Sequence, residues 1–211
     1  MLIYWYLLWP LAVIAWRPPI LTTSDSLPTV NMQLTSTFVN RLESGSRLDC
    51  QNAMLELCVM LDHGNRPPLI ELGIPALIRL LQDKDDLTRS LSVEVLGRLG
   101  QAAQPAIPAL VRVLGDREGC AGLVAVGVLA DFGEVSVPAL VEALKDKDPI
   151  VRQLAARSLG RMGQRGRAAL PALRQAMKSE NVDVVRRSIA RAIKEIPDWP
   201  RRREQFRLDR R

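Results

Sequence analysis

Basic side chains at helical spacing are the chemistry that stands out in this chain. Arg187, Arg191 and Lys194 fall at i, i+4 and i+7, and Arg157 with Arg161 forms a similar stripe upstream. A guanidinium presents a fixed fork of donors that matches carboxylate or phosphate oxygens two at a time. Such a stripe suits an acidic protein partner, nucleic acid or anionic lipid, and it equally suits the solvated outer face of a helical array. Past Pro197, the segment DWPRRREQFRLDRR adds Arg201, Arg202, Arg203, Arg207, Arg210 and Arg211, with Trp199 and Phe206 between them. Arginine beside aromatics can contact phosphates and stack on bases, and short basic tails also serve as solubilising ends. Residues 164–211 hold 14 Lys and Arg against 6 Asp and Glu, whereas the chain as a whole carries a net charge of only +6. The basicity therefore belongs to one end of the molecule.

Other chemistry is thinly supplied. His63 is the only histidine, so neither a catalytic triad nor a His-ligated metal site can be assembled. It lies in HGNRPP, past a predicted helix end, and is expected to face solvent. Cys50 and Cys58 sit eight residues apart on one predicted helix, about 12 Å along its axis, too far to bridge. With Cys120 they make an odd set, expected to be reduced and buried. The acidic turns DKDD, DREG and DKDP lack a twelve-residue calcium loop and its closing glutamate, and read as helix caps. No catalytic, metal or cofactor-binding residue is assigned, and the chain is not expected to be an enzyme.

The elements that position the arginines come from an internal repeat. IPALIRLLQDKD from Ile74, IPALVRVLGDRE from Ile107, VPALVEALKDKD from Val137 and LPALRQAMKSEN from Leu170 align without gaps. Pro75, Pro108, Pro138 and Pro171 each fall where a helix starts, at which point a missing N–H costs nothing. Apolar residues at i, i+3, i+4 and i+7 put one face of each first helix in a core, although Arg174 occupies an apolar column in the fourth row. A second helix follows, with six core columns, as in Val151, Leu154, Ala155, Ser158, Leu159 and Met162. Small residues in its middle columns allow close helix packing. Gly100, Gly133 and Gly163 then stop each second helix. The same template fits Cys50, Ala53, Met54, Leu57, Cys58 and Leu61, so a degenerate repeat precedes the four clear ones.

These rows resemble HEAT repeats, in particular the short type found in phycobilisome lyase-related proteins. The phrase KDKDPIVRQLAARSLGRMG, from Lys145 to Gly163, carries the likeness most fully. It implies an all-α solenoid of stacked antiparallel helical hairpins, mostly used as scaffolding. Some members bind tetrapyrroles, nucleic acid or metals, so a bilin-lyase accessory role is the alternative. The likeness also implies a ladder between turn aspartates and second-helix arginines, placed here at Asp83, Asp116 and Asp146 and at Arg89, Arg152 and Arg186. Gly122 interrupts it, and Ser179 replaces the fourth aspartate, which predicts looser docking of the second and third repeats.

Met1 to Trp16 carries no charge and reads as a signal or membrane-anchor segment, with membrane contact expected if it is retained. At sixteen residues it is short for a span. A start at Met32 would instead leave the protein cytoplasmic. Residues 17–33 read as an irregular linker, 34–197 as the repeat domain and 198–211 as the basic tail. The expected function is non-catalytic binding of a protein partner, of acidic character, along the concave face of the solenoid.

Overall fold

Each proline-led row folds as a short helix, and each six-column segment as a longer one running back against it. The computed structural model describes residues 36–43, 45–64 and 70–197. The hydrophobic segment, the linker and the basic tail lie outside the described residues. Helix α1 covers 36–43 and α2 covers Arg47–Asp62. The clear repeats then pair α3 (Ile74–Leu80) with α4 (Asp86–Leu99), and α5 (Ile107–Val113) with α6 (Ala121–Phe132). They continue with α7 (Val137–Ala143) and α8 (Pro149–Arg161), then α9 (Leu170–Ser179) and α10 (Asp183–Glu195). No strand occurs among the described residues. The architecture is an all-α solenoid.

The four prolines sit in the first turn of α3, α5, α7 and α9, where their locked φ is already helical. Three second helices, α2, α4 and α8, begin on a side-chain cap. Asp85 accepts from the Thr88 amide at 2.9 Å, and Asp148 from the Ile150 amide at 2.9 Å. Helices α4, α6 and α8 run into Gly100, Gly133 and Gly163, all of positive φ, and at Gly100 and Gly133 ψ is far from the left-handed helical well. Gly133 has φ 67° and ψ −138°, a region open essentially to glycine alone, which reverses the chain into a 3-10 turn leading to α7. That reversal interrupts the run Ala121–Ala143, which by length and apolarity alone could cross a membrane and is largely buried in the core.

The second helices pack in an unbroken row α2, α4, α6, α8, α10, whereas among the clear repeats' first helices α5 and α7 make a smaller direct contact. We name the exposed face of this row the inner wall. Close approach depends on small side chains. A Cβ on Gly160 would stand 3.0 Å from the Cα of Ala192, and one on Gly97 would stand 2.7 Å from Val128. Val93 and Ala156, one turn earlier in the same column, are fully buried. On α10 this column holds Ala190 and Lys194, both exposed, which gives the far side of the last described helix a polar finish.

Replacing Gly160 with valine is expected to cost about 1–3 kcal/mol, by forcing α8 away from α10. Gly127→Ala, whose new Cβ finds nothing nearer than 3.9 Å, is expected instead to stabilise the helix by up to about 1 kcal/mol. Urea unfolding monitored by far-UV circular dichroism reads both.

Candidate functional site

Two polar features ride on this stack, a ladder along the turn edge and a cleft on the inner wall. In the ladder, Arg89 donates from Nε and Nη2 to both oxygens of Asp116 in the next repeat, at 2.6 and 3.2 Å. Its Nη1 also reaches the carbonyl oxygens of Asp83 and Lys84 at 2.9 and 3.0 Å. One side chain thus closes its own turn and ties it to the following one. Arg152 does the same with the carbonyls of Asp146 and Lys147, but its carboxylate partner is Glu180, at 2.7 and 2.9 Å. Glu180 follows Ser179 and restores the rung one residue later. Arg186 holds the Glu180 carbonyl and lies 3.4 Å from Asp183.

The carboxylates of Asp83 and Asp146 accept from backbone amides of their own turns. At the position equivalent to the ladder arginine in α2, Gln51 donates to Asp85 at 2.8 Å and to Thr88 at 3.0 Å. Gly122 leaves the rung between the second and third repeats without an arginine, and a Cβ there would stand 3.1 Å from the Val113 carbonyl oxygen. Arg117 bonds Asp148 instead, at 2.8 Å, through a side chain that is 61% exposed. Solvent screens such a pair far more than the sheltered Arg89–Asp116 and Arg152–Glu180 pairs beside it.

The inner-wall cleft lies between α8 and α10. It is lined by Gln153, Arg157 and Arg161 from α8 and by Ser188, Arg191 and Glu195 from α10. Gln153, Arg157 and Arg161 recur at four-residue intervals and so share one face. The Gly160–Ala192 contact draws the two helices together beneath them. Of the five stripe residues, the structure gathers Arg157, Arg161 and Arg191 into the cleft. Arg187 and Lys194 are exposed on α10 but outside its lining. Among the described residues no ion pair or hydrogen bond engages the side chains of these five. Arg98 and Arg41 are by contrast spent internally, Arg98 on Asp62 and Glu94, and Arg41 on Glu56. Trp199, Phe206 and the tail arginines lie outside the described residues.

The cysteines divide. Cys50 and Cys58 are free and buried in core columns, and desolvation pushes the Cys58 thiol up to about 11. Cys120 is exposed, against the expectation of burial, because it precedes the first core column of α6 and ends the DREG turn. Its amide donates to Asp86 at 3.2 Å. His63 is exposed just past α2. Among the described residues no group of His, Cys, Asp and Glu is placed to hold a metal ion.

Residues 123–194, which contain every residue lining the cleft except Glu195, match a family model described as HEAT repeats. Over those residues the chain is similar to HEAT repeats. Among curated proteins none matches. A designed armadillo repeat protein in complex with the peptide (KR)4 is similar at 18% identity and a TM-score of 0.49, over 83% of this chain and 96% of that one. Computationally designed armadillo repeat proteins for modular peptide recognition give 18% identity and a TM-score of 0.47, over 83% and 95%.

The pair that ties the third clear hairpin to the fourth also sets an acid response. The hydrogen bonds from Arg152 hold the Glu180 carboxyl at about 2, with help from the Val182 amide. A carboxyl lowered on folding stabilises the fold above its ordinary range, and that contribution fades as pH falls toward 2. Glu180→Gln is expected to lose on the order of 1–3 kcal/mol at neutral pH and to lose less than the parent on acidification to about pH 2. Denaturant titrations at a series of pH values read the difference in slope.

Proposed function

We propose that the chain is a non-catalytic scaffold that binds an acidic segment of a protein partner along the inner wall of its second helices, with the cleft between α8 and α10 as the main contact. The observation that carries this reading is the set of Arg157, Arg161 and Arg191, three guanidiniums on packed helices without a partner among the described residues. Cations left exposed on fixed elements keep their full donor set for a second molecule, and they lose little freedom when it arrives. Arg187 and Lys194 flank the cleft and extend the positive field that would steer the partner. Nucleic acid or anionic lipid at the C-terminal basic end is the competing reading, and it draws on the tail residues from Trp199 onward.

Fluorescence anisotropy with a labelled polyglutamate peptide separates the two. The parent chain is expected to bind it with an affinity that falls as salt rises, and the triple reversal Arg157→Glu, Arg161→Glu and Arg191→Glu is expected to weaken binding by more than about tenfold. Removal of residues 199–211 should leave that binding in place. Unchanged binding by the triple variant would remove the cleft from the account, and loss with the tail alone would favour the competing reading. A bilin-handling role would instead appear as a shifted visible spectrum when a linear tetrapyrrole is mixed with the chain.

A further inference from the structure

We infer that the docked segment is an extended peptide that pairs an apolar anchor with acidic residues, the anchor resting on Leu123 and Gly127 of α6 and the carboxylates on Arg157, Arg161 and Arg191. This rests on the scaffold reading above and gives it a ligand class. Leu123, Gly127 and Asp131 occupy on α6 the columns that Gln153, Arg157 and Arg161 occupy on α8, so they face the same inner wall. Leu123 is 55% exposed, whereas Ala125, Val126, Val128 and Leu129 on the same helix are buried. The corresponding positions on neighbouring second helices are polar, namely Ser90, Gln153 and Arg187. A leucine there adds nothing to the core, and exposed apolar surface beside a charged cleft is an arrangement that a binding partner covers.

Gly127 deepens the step. It has no side chain, and the nearest group to where its Cβ would stand is Nη2 of Arg161, at 3.9 Å. The arginine thus borders a bare patch of helix surface just C-terminal to Leu123, and an apolar side chain placed there would have the guanidinium at its edge. Three arginines and Glu195 leave two positive charges in the cleft uncompensated, which two carboxylates would neutralise. A phosphate backbone or a lipid headgroup would use the arginines and leave Leu123 without a role. A peptide uses both.

The repeat spacing fixes a register. Neighbouring packed helices lie about 8–10 Å apart, and an extended chain of the polyproline II type advances about 3.1 Å per residue with three residues per turn, so every third side chain faces the wall again after about one helix-to-helix step. The apolar residue should therefore stand three positions from one acidic residue, over α8, and six from the next, over α10.

The test uses the whole chain and fluorescein-labelled peptides of glycine and serine that carry one phenylalanine and two glutamates at positions 1, 4 and 7, made in both chain directions. Anisotropy is expected to show binding for one direction, weakened by about tenfold in Leu123→Asp and in Arg191→Glu, and unaffected by Arg112→Glu on the exposed side of α5. Moving the phenylalanine by one position should weaken binding to a similar degree. Both target side chains are exposed, so thermal melts of the variants should match the parent. Leu123→Ala, the milder change, should act in the same direction. If Leu123→Asp has no effect while Arg191→Glu weakens binding, the apolar anchor is wrong and the acidic-partner reading survives. If neither variant matters, or no peptide binds, the anchored peptide is wrong and the polyglutamate experiment decides the broader reading. Equal binding by the shifted peptide overturns the three-residue register.

Discussion

How closely one second helix lets the next approach governs everything else in this fold. At Gly160 the neighbouring helix is so near that even a methyl group would press on the Ala192 backbone. Small residues at this column draw α8 and α10 together, while the first helices α7 and α9 stand further apart. That approach leaves the polar faces of the second helices side by side along one wall. It also places each turn within reach of the one before, so that a single arginine can close two turns at once. Without that approach the hairpins would share no core, since none of them can bury its apolar faces alone.

What the sequence reveals is what periodicity can carry. The proline rows, the six-column helices and the stop glycines mark the hairpins because each is a local rule about backbone or core face. The polar rungs are less legible, since they depend on where a side chain ends and not on where it begins. Glu180 is one residue out of register and longer than the aspartate it replaces, and its extra methylene makes up the distance to Arg152. Gln51 acts as a rung without being an arginine, and Arg117 does so from the turn and not from the second helix. Cys120 looks like a third core thiol by composition, yet it stands one residue before the core column begins and is exposed.

The basic stripe shows the same limit. Spacing alone puts Arg187, Arg191 and Lys194 on one strip of helix, but stacking divides that strip. Arg191 turns into the cleft with Arg157 and Arg161, while Lys194 holds the column that other repeats fill with Gly97 or Gly160 and so faces away from α8. The exposed Leu123 was hidden for a different reason. In a helix as apolar as AGLVAVGVLADF, one more leucine draws no notice until the neighbouring helices show which side is left uncovered.

The proposed scaffold function rests on a contrast between Arg41 and Arg98, which are paired internally, and Arg157, Arg161 and Arg191, which have no partner among the described residues. The most direct test is site-specific photo-crosslinking of the bound acidic peptide. A benzoylphenylalanine replacing Gln153 on the inner wall should capture the peptide, and the same group replacing the exposed Gln175 on α9 should not. Capture from position 175 with none from 153 would place the partner on the outer face and contradict the account.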